Sequence, residues 1–477
     1  MKYLWLILVL FTSTYGFSGA FLAEIGPKGV WQAKRFASWK ARGARYSDSS
    51  HLLSFQLKSV EDPAVAEMYL RNYIDPTQLK YVISNGKVQR APITGDTGAG
   101  GQWFHERIGT LKAWDTTRGD SHVIVAVLDT GVDYNHPNLI NSIAMNRGEI
   151  PGNGLDDDQN GLVDDYLGYD FVNEDPDPMD ETSFYNPGQG THIAGIIAAQ
   201  PISGSGVFGI APLTKILPIR ILDRNGEGSL GSVVRGIDYA ISRGAKIIVA
   251  GWSANLSKRE AAPLEAAIAR ADSAGVLIAA AAGNQGRSND NVDIYPANIR
   301  LPNVLAVTAT SQTNLKSSWA NFGLNSVGIL APGDNILSTL PKSSYGRVSG
   351  TAFSAAVVAG VAALTLAREA LSPAEVISRL QQSGLQITAD TLCKCLVDAG
   401  ESVSVSMPFI YPSYSALKVG QKLKYQVSGG IGPIQVSDGN LATIDDQGNL
   451  VAKKAGIVQL RTSSHPDVKP AELRISR

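Results

Sequence analysis

The chain has 477 residues and a formal net charge of -1 at pH 7, from 42 basic and 43 acidic residues mixed along the sequence. This length exceeds one ordinary domain, and we expect two to four. A near-neutral, well-mixed charge gives no reason to expect nucleic acid or an anionic membrane surface as a partner. Function therefore has to be sought in motifs and not in overall electrostatics.

The first twenty residues have the pattern of a secretory leader. Lys2 precedes an apolar run over residues 3–11, and Ser18 to Ala20 supply small residues for cleavage. An uncleaved anchor or a buried strand is the alternative, but the run is shorter than the ~20 apolar residues of a spanning helix. We expect residues 1–20 to be a signal peptide and the protein to be secreted to the periplasm, cell surface or medium. No stable membrane span is expected in the mature protein.

Residues 21–101 are predicted to form a small α+β domain followed by a linker. Residues 52–57 alternate apolar and polar, residues 63–70 form a short helix candidate, and residues 79–84 form a second strand candidate. The stretch over residues 94–101 is rich in Gly, Thr and Asp, which is typical of a flexible, cleavable linker.

From about Trp103 the pattern changes to short, continuously apolar strands interleaved with helical stretches. Strands without polar alternation predict an α/β fold, a parallel sheet covered on both faces, over residues 102–385. A long Ala-rich and Val-rich helix is expected over residues 351–368, and another begins where Ser372 caps it with Glu375 three residues later. The predicted strands are residues 123–128, 216–222, 246–250, 276–282 and 304–309.

Residues 386–404 are predicted to be a linker and residues 405–477 an all-β module. The linker holds Cys393 and Cys395, for which a disulfide would be geometrically tight, and a metal site would need more ligands. We expect two free or locally bridged thiols. Strand-like runs at 422–427 and 457–461, broken by Gly, Asp and Asn, indicate the β module.

Three loops at predicted strand-to-helix junctions carry the motifs of interest. They are Asp-Thr-Gly at residues 129–131, Gly-Thr-His at 190–192 and Gly-Thr-Ala at 350–352. In such sheets, functional groups gather where strands end and helices begin. The order of an acid, a histidine and a small residue is one of the chain orders of an acyl-transfer triad.

From about residue 102 to 383 the sequence resembles the subtilase family of serine peptidases. Residues 125–133 (VAVLDTGVD) look like its Asp motif, 190–195 (GTHIAG) like its His motif and 281–284 (AAGN) like its oxyanion-hole segment. Three further stretches, at 209–212, 295–297 and 331–333, are also similar. The resemblance implies a subtilisin-like doubly wound sheet with helices on both faces.

The resemblance also implies roles for four residues. His192 would be the general base, Asp129 would orient its imidazole, and Asn284 would donate to the oxyanion. Ala352 stands where the family has its nucleophilic Ser, in Gly-Thr-Ala-Phe in place of Gly-Thr-Ser-Met. In subtilisin, a member of that family, losing the Ser costs on the order of a million-fold in turnover.

Other positions depart from the family pattern too. Gly251, Trp252 and Ser253 lie in a groove segment that lacks the family's Asn-x-Ser-x-Gly pattern. Gln189 stands where the family has a second His, and Ala356 where it has Pro. Ser354 would point away on its helix and Ser349 precedes the turn, so neither is expected to replace the missing hydroxyl.

An acidic run between the Asp and His motifs is a candidate Ca²⁺ site. Oxygen ligands at alternating positions with a Gly for the turn suit Ca²⁺, although the bidentate Glu of an EF-hand is absent. A solvated acidic turn is the alternative. The candidate ligands are Asp156, Asp158, Asn160, Asp164 and Asp165.

The terminal regions carry weaker resemblances. Residues 21–93 are similar in outline to a subtilase propeptide, which without self-cleavage would stay attached. Residues 442–456 resemble bacterial Ig-like domains of the second group, small β-sandwiches that contain no catalytic motif.

Together these observations predict a secreted pseudoprotease that binds a peptide or protein ligand. Two alternatives remain: a serine endopeptidase with residual activity, and a structural or adhesive surface protein. The sequence does not indicate an oligomeric state.

Overall fold

The computed structural model describes residues 101–477, apart from 184–185, 203–206, 405–407, 429–432 and 463–467, and four strands before residue 101. The chain divides into two units, Met1–Ile93 and Thr94–Arg477. The division falls at the start of the stretch that composition predicts to be a linker.

The first unit contains four described strands: β1 (Ser18–Ile25), β2 (Arg45–Tyr46), β3 (Leu52–Lys58) and β4 (Leu79–Ser84). Their order is β2-β3-β1-β4, and every neighbouring pair is antiparallel. The two predicted strands are present as β3 and β4, and β1 lies between them. Residues 1–17 of the predicted leader and the predicted helix over 63–70 lie outside the described residues. The last residues of the predicted leader, 18–20, lie in β1.

The second unit is built on a nine-stranded sheet of order β14-β15-β11-β10-β9-β8-β5-β7-β6. All neighbouring strands are parallel except the edge pair β14 and β15. The mostly parallel sheet confirms the predicted fold class. The strands are β5 (Ile124–Asp129), β6 (Tyr169–Asp170), β7 (Lys215–Arg220), β8 (Ile247–Ala250), β9 (Leu277–Ala281), β10 (Val304–Thr310), β11 (Ile329–Pro332), β14 (Leu385–Gln386) and β15 (Cys395–Leu396).

Helices cover both faces of this sheet, and a two-stranded hairpin, β12 (Ile336–Leu340) and β13 (Ser344–Val348), stands beside it. A 3-10 turn covers Ile140–Ser142. The described helices of the unit are α1 (Trp103–Arg107), α2 (Thr110–Trp114), α3 (Gln189–Ala198), α4 (Leu230–Ser242), α5 (Lys258–Ser273), α6 (Thr351–Arg368), α7 (Pro373–Ser383) and α8 (Ala399–Ser404).

Alternation along each strand divides the core into two layers. Val125 and Val127 of β5 pack with apolar residues of α3 and α6, whereas Ala126 and Leu128 pack with those of α4 and α5. Because both faces of the sheet are buried, its strands are apolar at successive positions, which is the pattern seen in the sequence.

Among the described helices, α6 is long and apolar enough to cross a membrane by length and composition, but 83% of its most apolar window is buried. Thr351 to Leu364 are inaccessible or nearly so. The helix is the central core helix on one face of the sheet.

The prediction that residues 386–404 form a linker is wrong. They complete the edge hairpin β14–β15, and α8 packs against α2. Cys393 and Cys395 form a disulfide with a Cα–Cα distance of 5.2 Å, and both are buried. This separation falls within the ordinary range because Lys394 turns the backbone at a φ of 51°. Of the predicted alternatives, the locally bridged one is present.

The C-terminal region is strand-rich, as predicted, with its own apolar core around Tyr425, Leu450 and Leu473. Its described strands form the sheets β17-β24-β23-β20, β18-β22-β21 and β16-β19. The strands are β16 (Ile410–Tyr411), β17 (Tyr414–Lys418), β18 (Lys422–Lys424), β19 (Gln426–Val427), β20 (Ile434–Val436), β21 (Ala442–Ile444), β22 (Asn449–Ala452), β23 (Gly456–Thr462) and β24 (Ala471–Ser476).

Candidate active site

Asp129 is the last residue of β5, and its side chain is fully buried. Its Oδ1 accepts from the Thr130 N–H at 2.9 Å, and both carboxylate oxygens accept from the Gln189 side-chain amide, at 3.1 and 2.9 Å. Burial raises the pKa of Asp129 from 3.8 to about 7, against the effect of these donors. The side chain that donates to the Asp129 carboxylate is the amide of Gln189.

Gln189 is the first residue of α3 and follows Gly188, whose positive φ of 110° turns the chain into the helix. The same Nε2 that donates to Asp129 also lies 3.1 Å from the Gly251 carbonyl oxygen at the end of β8. Its two N–H groups thus have acceptors on two different strands of the sheet.

His192 lies one helical turn further along α3 and points elsewhere. Its Nε2 is 3.1 Å from the Ile336 carbonyl oxygen and 3.2 Å from that of Gly346, both in the β12–β13 hairpin. Its Nδ1 is buried without a partner. Because Nε2 faces two acceptors, we assign the proton to Nε2. Burial lowers the pKa of His192 to about 4, so the ring is neutral near pH 7.

The prediction that Asp129 holds His192 as a general base is therefore wrong. Among the described residues, no histidine nitrogen lies within hydrogen-bonding distance of the Asp129 carboxylate. Three residues along a helix advance the side chain by about 4.5 Å and turn it by about 300°. That step takes His192 away from the end of β5, and its ring packs on Phe353 with 4.6 Å between centroids.

Ala352 lies in the first turn of α6, and its methyl group is 4% exposed. A Cβ built on Gly251 would lie 3.4 Å from the Ala352 Cβ and 2.5 Å from Oδ2 of Asp129. Gly251 therefore stands between the two. Position 352 is thus close to Gly251 and Asp129, but presents only a methyl group.

The two nearby serines are both committed to other partners, as expected. The Ser354 hydroxyl is buried and donates to the carbonyl oxygens of Ala331 and Pro332, at 3.1 and 3.2 Å. The Ser349 hydroxyl donates to Asp334 at 2.7 Å. Neither hydroxyl faces Gln189.

Asn284 follows β9 and reaches the start of α6. Its Oδ1 accepts from the Thr351 backbone N–H at 3.0 Å and from the Thr351 hydroxyl at 2.9 Å. With the oxygen engaged, Nδ2 is the group left to donate to a ligand. This arrangement suits the predicted role of Asn284 as an amide donor.

Gln189, Asn284 and Ala352 line a cavity of about 380 Å³. The three predicted groove residues also line it. Among the described residues that line it, none is Asp, Glu, Lys or Arg. Its wall mixes apolar faces with amide and hydroxyl groups. The lining residues are Thr130, Asn186, Pro187, Gly188, Gln189, His192, Leu222, Asn225, Gly226, Gly251, Trp252, Ser253, Asn284, Val348, Ser349, Gly350, Ala352 and Phe353.

A second polar cluster forms in the acidic loop. One carboxylate oxygen each of Glu149, Asp158 and Asp165 lie within 4.8 Å of one another. The Asn160 amide donates to Asp158 and Asp165, at 3.1 and 3.2 Å. Glu149 is 4% exposed, its Oε2 has no partner, and burial raises its pKa. An orphaned carboxylate oxygen among carboxylates fits a bound cation.

The acidic cluster differs in part from the predicted ligand set. Asp156 accepts from the backbone N–H groups of Asn160 and Gly161, and Asp164 from those of Asn153 and Gly154, so both hold turns. Glu149 was missed, because it precedes the acidic run and no spacing pattern connects it to that run.

Comparison with known sequences agrees with the fold. The sequence model of Peptidase S8, the subtilase family, matches residues 120–394. The chain belongs to the subtilase family. It is 36% identical over 289 residues to a thermophilic serine proteinase of Bacillus sp. (strain AK1), covering 61% of this chain and 63% of that protein, which is less than two thirds.

Two further similarities each cover 60% of this chain. Thermitase of Thermoactinomyces vulgaris is 34% identical over 287 residues, covering 60% of this chain and 89% of thermitase. A crystal structure of a cold adapted subtilisin-like serine proteinase is 26% identical, with a TM-score of 0.49, covering 60% of this chain and 90% of that one.

Proposed function

We propose that this subtilase is a secreted pseudoprotease that binds a peptide or protein segment in the cavity at Ala352 without cleaving it. The observation that carries the proposal is the pair of side chains opposite Asp129: an amide at position 189 and a methyl group at position 352. Acyl transfer needs a hydroxyl or thiol to attack and a base to accept its proton.

Among the described residues at positions 189, 192, 349, 352 and 354, we find neither the attacking group nor the base. Ala352 offers no attacking atom, and the Gln189 nitrogen, an amide, is no base at neutral pH. His192 is neutral, but its Nε2 is engaged by two carbonyl oxygens and its Nδ1 is buried. Ser349 and Ser354 donate elsewhere.

The capacity to bind is supported by what remains. The Nδ2 of Asn284 remains to donate, Trp252 offers a partly exposed aromatic surface, and the cavity has about 380 Å³ of space. Concave sites with apolar walls and a few fixed polar groups are the usual form of binding pockets. A peptide is the ligand class that this family's groove accommodates.

We also propose that the acidic cluster holds Ca²⁺. Glu149, Asp158 and Asp165 would supply carboxylate oxygens. The bound ion would neutralise mutual repulsion among the carboxylates and fix the loop. Its role here is stabilisation, because Asp165 is also tied to Tyr239 and Arg243 in the body of the fold.

The remaining assignments are proposals on the sequence patterns given above. Residues 1–20 act as a leader, residues 21–93 as a propeptide-like unit that stays attached, and residues 405–477 as a bacterial Ig-like module. Together they favour a bacterial protein that acts outside the cytoplasm.

To distinguish binding from cleavage, fluorescein-labelled denatured casein is mixed with the purified protein. We expect anisotropy to rise and the casein mass to stay unchanged, and a serine-reactive phosphonate to leave the protein unlabelled. Ser253→Trp fills the cavity wall and should abolish binding. Ser273→Trp, at an exposed position on α5 outside the cavity lining, is the matched control.

Cleavage of casein by the native chain would overturn the proposal in favour of a residual endopeptidase. Failure of native protein and both variants to bind casein, with no cleavage, would favour a structural role.

A further inference from the structure

The Gln189 side chain connects three elements around the cavity. It belongs to α3, it donates to Asp129 at the end of β5, and it donates to the carbonyl oxygen of Gly251 at the end of β8. Trp252 and Ser253, which follow Gly251, form part of the cavity wall. One neutral side chain therefore joins the buried carboxylate to the wall that a ligand would meet.

We propose that Gln189 is a positioning residue, whose amide fills the place beside Asp129 that a general base would need and holds the wall from Gly251 to Ser253 against β5. This inference rests on the proposed function in one respect: it assumes that the ligand binds in the cavity. The contact with Asp129 itself is independent of any ligand.

The chemistry of an amide explains why glutamine suits this place. A general base must touch both its orienting carboxylate and the nucleophile, and the space between Asp129 and position 352 is where both can be reached. A neutral imidazole has one N–H, which the carboxylate would use. The amide has two, so it can donate to Asp129 and to the Gly251 carbonyl together.

The proposal is tested by NMR titration of the histidine rings, of which the native chain has six. Four proteins are compared: wild type, Gln189→His, Asp129→Asn and the double variant. The imidazole introduced by Gln189→His should titrate about one pH unit or more above 6.5, because an adjacent carboxylate favours its charged form. The elevation should disappear in the double variant.

Native His192 provides the internal control. Its pKa should stay well below 6.5 in all four proteins, because burial and not Asp129 determines it. If Asp129→Asn leaves the pKa of the introduced imidazole unchanged, the proposal is overturned. If Gln189→His does not fold, the wild type and Asp129→Asn still decide, since a shift of His192 between them would make His192 the partner of Asp129.

A second measurement tests the wall. Gln189→Leu leaves the Gly251 carbonyl and Asp129 without this donor, and the affinity for fluorescein-labelled casein should fall about tenfold. Unchanged affinity would overturn the positioning role. If casein binds none of the proteins, the proposed function fails, while the titration still decides whether position 189 is the partner of Asp129.

Discussion

Restoring the missing hydroxyl alone should not restore a peptidase. In Ala352→Ser the new oxygen would lie close to Gly251, whose carbonyl accepts from Gln189, and the Gln189 amide offers N–H donors and no base. In subtilisin, the family member from which the magnitude comes, losing Ser or His alone costs about as much as losing the whole triad, about 10⁶-fold. Ala352→Ser should therefore stay within about tenfold of the native chain.

The double variant Gln189→His with Ala352→Ser supplies both the base and the nucleophile. General-base catalysis contributes on the order of 10² to 10⁴-fold, so the double variant should exceed Ala352→Ser by at least about a hundredfold. The assay is initial-rate hydrolysis of fluorescein-labelled casein, with phosphonate labelling of the new serine. Turnover by Ala352→Ser equal to that of the double variant would refute the reasoning, and loss of that turnover on adding His192→Ala would identify His192 as the base.

Three further predictions concern stability. Ca²⁺ at a hundred times its Kd should stabilise the fold by about 2.7 kcal/mol, measured as a higher Tm in Ca²⁺ than in EGTA. Glu149→Gln should abolish this increase, and the same increase in Glu149→Gln as in the wild type would refute the cation site. Burial raises the pKa of Asp129 from 3.8 to about 7, so the folded state holds a proton that the unfolded state loses between these values, and stability falls as pH rises through the window. As the pH rises from 4 to 8, the free energy of unfolding of Asp129→Asn should therefore increase relative to that of the wild type by up to about 4 kcal/mol. Urea unfolding measures this difference, and a difference that does not change with pH would contradict the prediction. Replacing Cys393 and Cys395 by Ser together should cost about 1.6 kcal/mol for so short a loop, measured as the urea midpoint, and no change would contradict it.

The main sheet could be predicted because its strands are buried on both faces. Residues 123–128 and 304–309 match β5 and β10 within one residue, since nearly every side chain there is buried on one face of the sheet or the other. The start of α7 was placed correctly because Ser372 and Glu375 form the reciprocal cap that their spacing indicates. The prediction of a linker over residues 386–404 was wrong because two-residue strands and a short helix leave no periodic signal in the sequence.

The candidate site was predictable in position but not in side-chain direction. Asp129, Asn284, Gly251 and Ala352 converge because strand ends and helix starts of a parallel sheet meet at one edge. Which residue of α3 turns toward Asp129 depends on a helical step, and motif order does not encode that. Glu149 was missed for a similar reason, since it joins the acidic cluster through the fold and not through spacing.

Under the proposed function, the physics of the triad explains why its base and its nucleophile can be absent together while the carboxylate stays. A base without a nucleophile, or a nucleophile without a base, contributes almost nothing to turnover, so neither has a catalytic value alone. Asp129 differs, because it is a fully buried carboxylate that the fold must supply with donors whether or not catalysis occurs. The Thr130 N–H and the Gln189 amide provide them, and the amide also ties down Gly251. Of the three positions, Asp129 is thus the one that folding alone requires, and Gln189 is the substitution that lets it remain without an imidazole.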